Sequence, residues 1–451
     1  MLSSADTICA LATPPGRGGV SVVRVSGAAA AKISKQVAGS LPAPRTCLFA
    51  KFRDASGELI DAGIVLFFPG PHSFTGEDVC ELHCHGSPVV VDQLLHTLVS
   101  FGARLARPGE FSERAFTNGK IDLTQAEAIA DLIDSSTVAA ARHAVRSLQG
   151  EFSRLITKLV SDVVALRVYV EASIDFADEE IDFLSQGNIA VRLKALIELL
   201  HAIVAQAKQG SLLREGLHIV IAGAPNAGKS TLLNALCGED IAIVTPIAGT
   251  TRDVLRHTIS LDGIPVHLTD TAGLRESNDP VEQEGIRRAR HAITNADRVL
   301  LLIDASETRD FRQSPLWSEL SKLTNDRISV VFNKVDLCDK IDTADGESPP
   351  VLYLSAHTRA GLPLLVDHLK VCAGFNPAAD GGFIARRRHL AALNAAAIAM
   401  ENALHCLENL EAGELVAEEL RKVQTALDEI TGKFTNDDLL GVIFSSFCIG
   451  K

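Results

Sequence analysis

The chain has 451 residues, enough for about three domains of ordinary size. Apolar residues make up 47% and charged residues 22%, which excludes a mainly disordered or collagen-like chain. With 43 basic against 56 acidic residues the net charge is −13, so a broad positive field for non-specific nucleic-acid binding is excluded, although a local basic patch is not. Nine cysteines, an odd number scattered singly, suit reduced thiols and not a disulfide framework. No run approaches the roughly 18 consecutive apolar residues of a membrane span, and Met1–Asp6 has neither a basic segment before an apolar run nor an Arg-rich leader. The expectation is a soluble cytoplasmic protein with no membrane segment.

Residues 1–118 are punctuated by Gly and Pro and contain short β-branched runs, Val20–Val25 and Ile64–Phe68, that read as strands, with helix near Pro88–Phe101. From Asp122 the period changes. Thr124 with Glu127 reads as a capping box, and helical spacing then runs with interruptions to about Gly210, with an acidic break over Asp175–Gln186. Between residues 217 and 377 short apolar strands alternate with amphipathic helices: Leu217–Ala222, Val266–Thr269, Val299–Ile303, Ile328–Phe332 and Val351–Leu354. That alternation predicts a parallel sheet covered on both faces. After the linker signal Asp380-Gly381-Gly382, residues 384–446 are helical again, with Gly432 a terminator. The α/β block therefore reads as an insertion. The fold class expected is multidomain α/β and α: an N-terminal α+β domain (1–118), a discontinuous helical domain (119–212 and 378–451) and an inserted α/β domain (213–377), whose motifs, taken next, are those of a Ras-like P-loop GTPase fold: Gly223–Ser230, Asp270–Gly273 and Asn333–Asp336.

Gly223-Ala224-Pro225-Asn226-Ala227-Gly228-Lys229-Ser230 matches G-x-x-x-x-G-K-S between an apolar strand and a helix that continues with Thr231. Glycines let backbone N–H groups curl around phosphate oxygens, and the helix N-terminus adds positive potential. Lys229 is expected to bridge the β- and γ-phosphates and the Ser230 hydroxyl to ligate Mg²⁺. Asp270-Thr271-Ala272-Gly273 ends a later strand, where Asp270 would hold Mg²⁺ through water and the Gly273 N–H would sense the γ-phosphate. In Asn333-Lys334-Val335-Asp336 the Asp336 carboxylate can accept from guanine N1–H and the 2-amino group, which adenine cannot offer, so GTP is preferred to ATP. Ser355-Ala356 fits the backbone that reads the guanine carbonyl, and Thr250 or Thr251 supplies the switch threonine for Mg²⁺. Leu274 stands where Ras-like proteins carry a water-orienting Gln, and a leucine cannot orient water. Glu282 is the candidate for that work; otherwise it is a solvated glutamate opening a helix.

Several further segments together resemble the MnmE (TrmE) family of tRNA-modification GTPases. These are Ala12–Gly19, Phe74–Asp78, Arg107–Phe116, the first-switch segment Thr245–Asp253 and the closing Phe447-Cys448-Ile449-Gly450-Lys451. They run from end to end of the chain. The resemblance implies a homodimer that works with a flavin-dependent (FAD) partner, MnmG. It installs an aminomethyl-type group, such as carboxymethylaminomethyl, on carbon 5 of the tRNA wobble uridine. The one-carbon unit is supplied by a tetrahydrofolate derivative (5,10-methylenetetrahydrofolate or 5-formyltetrahydrofolate) bound by the N-terminal domain. Carried over residue by residue, the folate contacts fall on Arg24, Glu81, Lys120 and Lys451: cations for the glutamate tail, a carboxylate for the pterin. Cys448 is either a nucleophile or an inert thiol. The resemblance also implies K⁺ in place of an arginine finger, held by the Asn226 amide oxygen with oxygens of Thr245, Ile247 and Thr250; the alternative for Asn226 is a local loop hydrogen bond. The runner-up function is a regulatory or ribosome-assembly GTPase without group transfer.

Other signals read as structural. In Cys80-Glu81-Leu82-His83-Cys84-His85 the two thiols share a strand face with Leu82, and no second ligand pair with structural-zinc spacing follows. Arg386-Arg387-Arg388 is either a phosphate contact or a solvated helix face. The alanine run 391–399 reads as close helix packing.

Overall fold

The computed structural model describes residues 6–175, 188–237, 256–270, 287, 290–323, 327–338, 348–374, 382–410, 412–433, 437–445, 447 and 450. The chain divides into two compact units, one made of residues 1–130, 147–197 and 392–451, the other of 131–146 and 198–391.

In the first unit, six strands form one sheet: β1 (Ile8–Leu11), β2 (Gly18–Ser26), β3 (Cys47–Arg53), β4 (Leu59–Phe68), β5 (Val79–Gly86) and β6 (Arg104–Leu105), in the order β3-β4-β5-β2-β1-β6. All neighbours are antiparallel except β1 and β6. Alternation along β5 follows the sequence reading: Cys80, Leu82 and Cys84 are buried with Val23, Leu94 and Leu98, under helices Ala30–Ala38 and Pro88–Ser100. Burial pushes both thiols up to about 11, so they behave as core side chains. Helices Glu151–Asp175 and Gly413–Thr431 pack along each other, and Gly432 (φ 84°) ends the latter in the left-handed region as expected. Ala392, Ala396, Ala399 and Ala403 are the buried stripe of helix Arg387–Asn409.

One start signal shifts. The cap of helix Leu123–Ile133 is Asp122, not Thr124. The Asp122 carboxylate accepts from the Gln125 N–H (2.9 Å), and the Gln125 side chain accepts from the Asp122 N–H (3.0 Å). Thr124 instead donates to Asp122 (2.7 Å) and meets Ser153, so the box sits two residues earlier, with a carboxylate as the better acceptor.

The second unit holds a six-stranded sheet in the order β12-β11-β10-β7-β9-β8, built from β7 (Leu217–Gly223), β8 (Arg256–Leu261), β9 (Ile264–Asp270), β10 (Arg298–Asp304), β11 (Ile328–Asn333) and β12 (Val351–Tyr353). Every pairing is parallel except β8–β9. The five predicted strands are present; β8 is an addition. Its polar alternation is a weak signal, but Asp262 and Gly263 (φ 49° and 93°) form the two-residue turn of a hairpin. One face of the sheet packs Ile219, Ile221, Leu300, Leu302 and Val331, the other Val299, Leu301, Val330 and Phe332. That doubly covered pattern explains the nearly continuous apolar runs in the sequence. Helix Ile189–Glu215 leads directly into this sheet and stops at Gly216, whose φ of 72° is the left-handed C-terminal conformation. Gly210 does not end it. A Cβ at Gly210 would fall on the Phe383 carbonyl oxygen, so glycine there permits a close backbone crossing.

Candidate functional site

Parallel strands put their carboxyl ends on one edge, where open α/β sheets bind ligands. Gly223, Asp270, Asp304 and Asn333 end β7, β9, β10 and β11, and Ser355-Ala356 follows β12. The register keeps these ends level: Leu302 pairs with Gly223, Ile221 with Asp270, and Asp304 with Asn333. Residues scattered over more than 130 positions of sequence therefore converge because of strand direction alone.

The loop from Gly223 to helix Lys229–Cys237 is tightly curled. Asn226 (φ 66°) and Gly228 (φ 96°) both take left-handed conformations. A Cβ at Gly228 would collide with the Asn333 amide. Lys229 Nζ donates to the carbonyls of Gly223 and Ala224, each at 3.0 Å, so its ammonium lies across the mouth of the loop. The Ser230 and Thr231 side chains, on the first turn, are exposed, and so is Asn226, whose amide makes no hydrogen bond among the described residues. The local bond considered for Asn226 is thus absent among these residues.

Asn333, 2% exposed, has a job that its motif did not announce. Its Nδ2 donates to the Ala227 carbonyl at 2.8 Å, and its Oδ1 accepts from the Ala356 N–H at 2.9 Å. One buried amide thereby ties the phosphate loop to the loop after β12. Lys334 (φ 64°) turns the chain and donates to Asp304 Oδ2 at 2.6 Å. Burial alone would raise the Asp304 carboxyl, but the bonds from Lys334 and Ser306 hold it below the usual carboxylate range. Asp336 follows in the short 3₁₀ turn Val335–Leu337 and is exposed. Ser355 is fully buried, with its Oγ accepting from the Thr358 N–H (3.1 Å), and Ala356 is buried beside it. Thr245, Ile247, Thr250, Thr251, Thr271, Ala272, Gly273 and Glu282 lie outside the described residues.

The first unit carries a second cluster. Arg24 on β2 and Glu81 on β5 are directly opposed. Arg24 donates twice to Glu81 Oε1, at 3.1 Å and 2.9 Å, and its guanidinium lies 5.7 Å from the ring centres of both Phe74 and Phe111. Glu81 Oε2 faces His83 Nε2 at 3.4 Å. Lys120 is not drawn to Glu81; its Nζ donates to the Pro71 carbonyl at 2.9 Å. Cys448 and Lys451 lie outside the described residues, but Gly450 between them is buried against β1, where a Cβ would fall on the Leu11 carbonyl oxygen. Leu11 pairs with Val23, next to Arg24.

Two sequence signatures prove to be one ionic scaffold. In helix Glu110–Thr117, Glu110 (2% exposed) accepts from Arg104 Nη2 (2.5 Å) and Nη1 (2.8 Å), from Arg114 (3.2 Å) and from the Arg107 N–H (2.8 Å). Burial alone would raise the Glu110 carboxyl, but these donors outweigh it and bring the carboxyl down to about 2. Arg114 continues to Glu77 (3.1 Å), and Glu77 accepts from Ser26, which also meets Thr75. The basic run at 386–388 also finds acidic partners: Arg386 pairs with Asp131 at 2.7 Å and Arg387 with Glu215 at 2.9 Å.

A Ras-like sheet with a curled G-x-x-x-x-G-K-S loop, and a buried asparagine linking that loop to the one after β12, defines a P-loop GTPase set within a larger α and α+β chain. Comparison with known proteins narrows the class. The family described as "MnmE helical domain" matches residues 123–448, and that described as "GTP-binding protein TrmE N-terminus" matches residues 7–120. The tRNA modification GTPase MnmE of Chromohalobacter salexigens is 55% identical over 449 residues, 99% of this chain and 98% of that one. Those of Pseudoalteromonas translucida and Erwinia tasmaniensis are also 55% identical, covering 99% and 100% of this chain and 99% and 100% of their own. The chain belongs to the MnmE family of tRNA modification GTPases.

Proposed function

We propose that the chain is the GTP-hydrolysing subunit of a homodimeric complex that, with a flavin-dependent MnmG-type partner, adds an aminomethyl-type group to carbon 5 of the tRNA wobble uridine. The observation that carries the GTPase half is the Asn333 clamp, whose buried amide ties the phosphate loop to the loop after β12 and so holds the two in one geometry. Preorganisation of this kind removes an ordering cost from binding. Lys229 exchanges its two carbonyl partners for β- and γ-phosphate oxygens. Asp336, exposed at the rim, accepts from the guanine edge. Ser230 with Thr250 or Thr251 and Asp270 would hold Mg²⁺, and Gly273 would sense the γ-phosphate. Glu282 would orient the attacking water.

Two groups among the described residues, Asn226 and the Arg24–Glu81 pair, support the implied potassium ion and folate. Asn226, exposed on the phosphate loop, offers an amide oxygen to a monovalent cation, with Thr245, Ile247 and Thr250 completing the set; a K⁺ there would supply positive charge near the β–γ bridge. Arg24 and Glu81, beside Phe74, offer a cation, an acceptor and a ring to a tetrahydrofolate derivative, with Lys120 and Lys451 as further cations for its tail. Cys448 stands in the same C-terminal segment as Gly450, which is seated on β1.

Nucleoside mass spectrometry of tRNA from cells with and without the gene tests the reading. Loss of the carbon-5 group at the wobble uridine is expected. Unchanged tRNA together with a ribosomal-subunit assembly defect would replace it with the assembly-GTPase reading.

A further inference from the structure

Strand β10 ends at Asp304, which stands in register with Asn333 at the end of β11, and the next backbone N–H, that of Ala305, donates to the Asn333 carbonyl at 2.9 Å. Past Asn333 the chain turns through Lys334, whose φ of 64° and ψ of 32° are left-handed. A lysine lacks the conformational freedom of glycine, so such a turn needs support from outside. Asp304 supplies it. The Asp304 side chain, in a residue 8% exposed, is held at one oxygen by its own loop: Oδ1 accepts from the Ser306 N–H at 3.0 Å and from the Ser306 hydroxyl at 2.6 Å. The other oxygen, Oδ2, accepts from Lys334 Nζ at 2.6 Å. The Lys334 carbonyl in turn accepts from the Leu337 N–H at 3.0 Å, closing the 3₁₀ turn on which Asp336 stands exposed. The side chain of Lys334 is thus tied to β10 and its backbone to the turn that carries Asp336.

A carboxylate that reads guanine accepts from N1–H and the 2-amino group side by side, and a paired contact of this kind depends on angle as well as distance. Asp336 stands on a short exposed turn, so its aim is set by the residues that hold the turn. We propose that Asp304 is a positioning residue for guanine selection, which acts through Lys334 to fix the left-handed turn that presents Asp336 to the base. The proposal rests on the guanine-reading role given to Asp336 above. An ion pair that served stability alone could join any two elements. This one joins the end of β10 to the left-handed residue of the Asn333–Asp336 motif, two positions before Asp336.

Calorimetric titration of the full chain with GDP and with IDP tests it, because hypoxanthine keeps the N1–H and lacks the 2-amino group. The parent is expected to prefer GDP by about ten-fold or more, the value of one charge-assisted bond. Asp304→Asn removes the charge and keeps the shape. It should weaken GDP about ten-fold, move IDP far less and leave a preference within about three-fold. Lys334→Met, which keeps the stem and loses the ammonium, should bring the preference to the same level. Asp304→Asn added to Lys334→Met should then cost GDP no more than about a further two-fold, since the pair acts as one unit. A parent-like preference in Asp304→Asn, including equal weakening of both nucleotides, overturns the proposal and leaves the Asp336 reading intact, with Asp304 a support of its loop. A larger loss of GDP in the double variant also overturns it, by giving Asp304 a route that bypasses Lys334. Should Asp304→Asn lose its cooperative melt, Lys334→Met decides in its place, and a parent-like preference there overturns the proposal. A parent that binds GDP and IDP equally removes Asp336 from the 2-amino group, and the guanine reading falls together with the proposal.

Discussion

A carboxylate that reads guanine does so by accepting twice, and that is the property Asp336→Asn removes. GTP affinity is expected to fall by a factor of about 10² or more, since polar recognition left unpaired costs on the order of 3 kcal/mol, while xanthosine nucleotides gain. Competition binding with the two triphosphates decides it, and retained GTP affinity with no gain for xanthine would remove Asp336 from the base. Asn226 makes a different demand. If its amide oxygen holds a monovalent ion, turnover in K⁺ exceeds turnover in Na⁺ at equal ionic strength, and Asn226→Ala erases the difference while sparing Mg²⁺-dependent nucleotide binding. Equal rates in the two salts for the parent chain would sink that role, because an oxygen site of fixed size distinguishes the ions. At this scale the phosphate loop was legible in the sequence because phosphate geometry dictates glycine and lysine positions directly. The Asn333 clamp was not, because its two partners, Ala227 and Ala356, offer only backbone atoms, which leave no trace in residue type.

Helix Glu110–Thr117 illustrates why a short motif can be recognised long before it is understood. Its Glu110 joins Arg104, Arg107 and Arg114, and Arg104 in turn reaches Asp6, 98 positions away. Spacing along the chain conceals such a network; only the β1–β6 pairing brings it together. Because the folded carboxyl lies near 2 against an ordinary 4.5, its contribution is fully present above pH 4.5 and is lost as pH falls toward 2. The sum is on the order of 3 kcal/mol. Urea midpoints between pH 7 and pH 2.5 should therefore drop in the parent chain and show a shallower acid limb in Glu110→Gln. At neutral pH that variant should be less stable by about 3–5 kcal/mol, because Arg104 and Arg114 lose their shared anion. Identical acid limbs would show that the charge is not held in this way. Element type followed the hydrophobic period well at the five predicted strands of the nucleotide-binding sheet, β7, β9, β10, β11 and β12. It failed at β8, where the residues themselves are ambiguous and pairing with β9 makes the strand.

The whole molecule has a candidate site in each of its two compact units. Arg24 belongs to the first compact unit and the phosphate loop to the second. Arg24→Ala, or Lys451→Ala, is expected to weaken binding of a reduced folate by about ten-fold or more, the loss of one charge-assisted bond, with basal GTP hydrolysis nearly unchanged. Calorimetric titration with unchanged affinity in both variants would withdraw the folate assignment. The change of period in the sequence reads as an insertion, and the contacts where the nucleotide-binding sheet is entered and left have a consequence of another kind. Gln209 Nε2 donates to the Gly374 carbonyl at 2.6 Å, and Gly210 admits the Phe383 backbone, so the chain leaves the nucleotide-binding sheet beside the helix by which it entered. A segment whose two ends already touch closes its loop at little entropic cost to the host, whatever its length. Such a module can be added to a gene, or cut from it, without reordering the fold around it. Splicing Glu215 to Gly382 through a few glycines and serines should leave a shortened chain that still melts cooperatively.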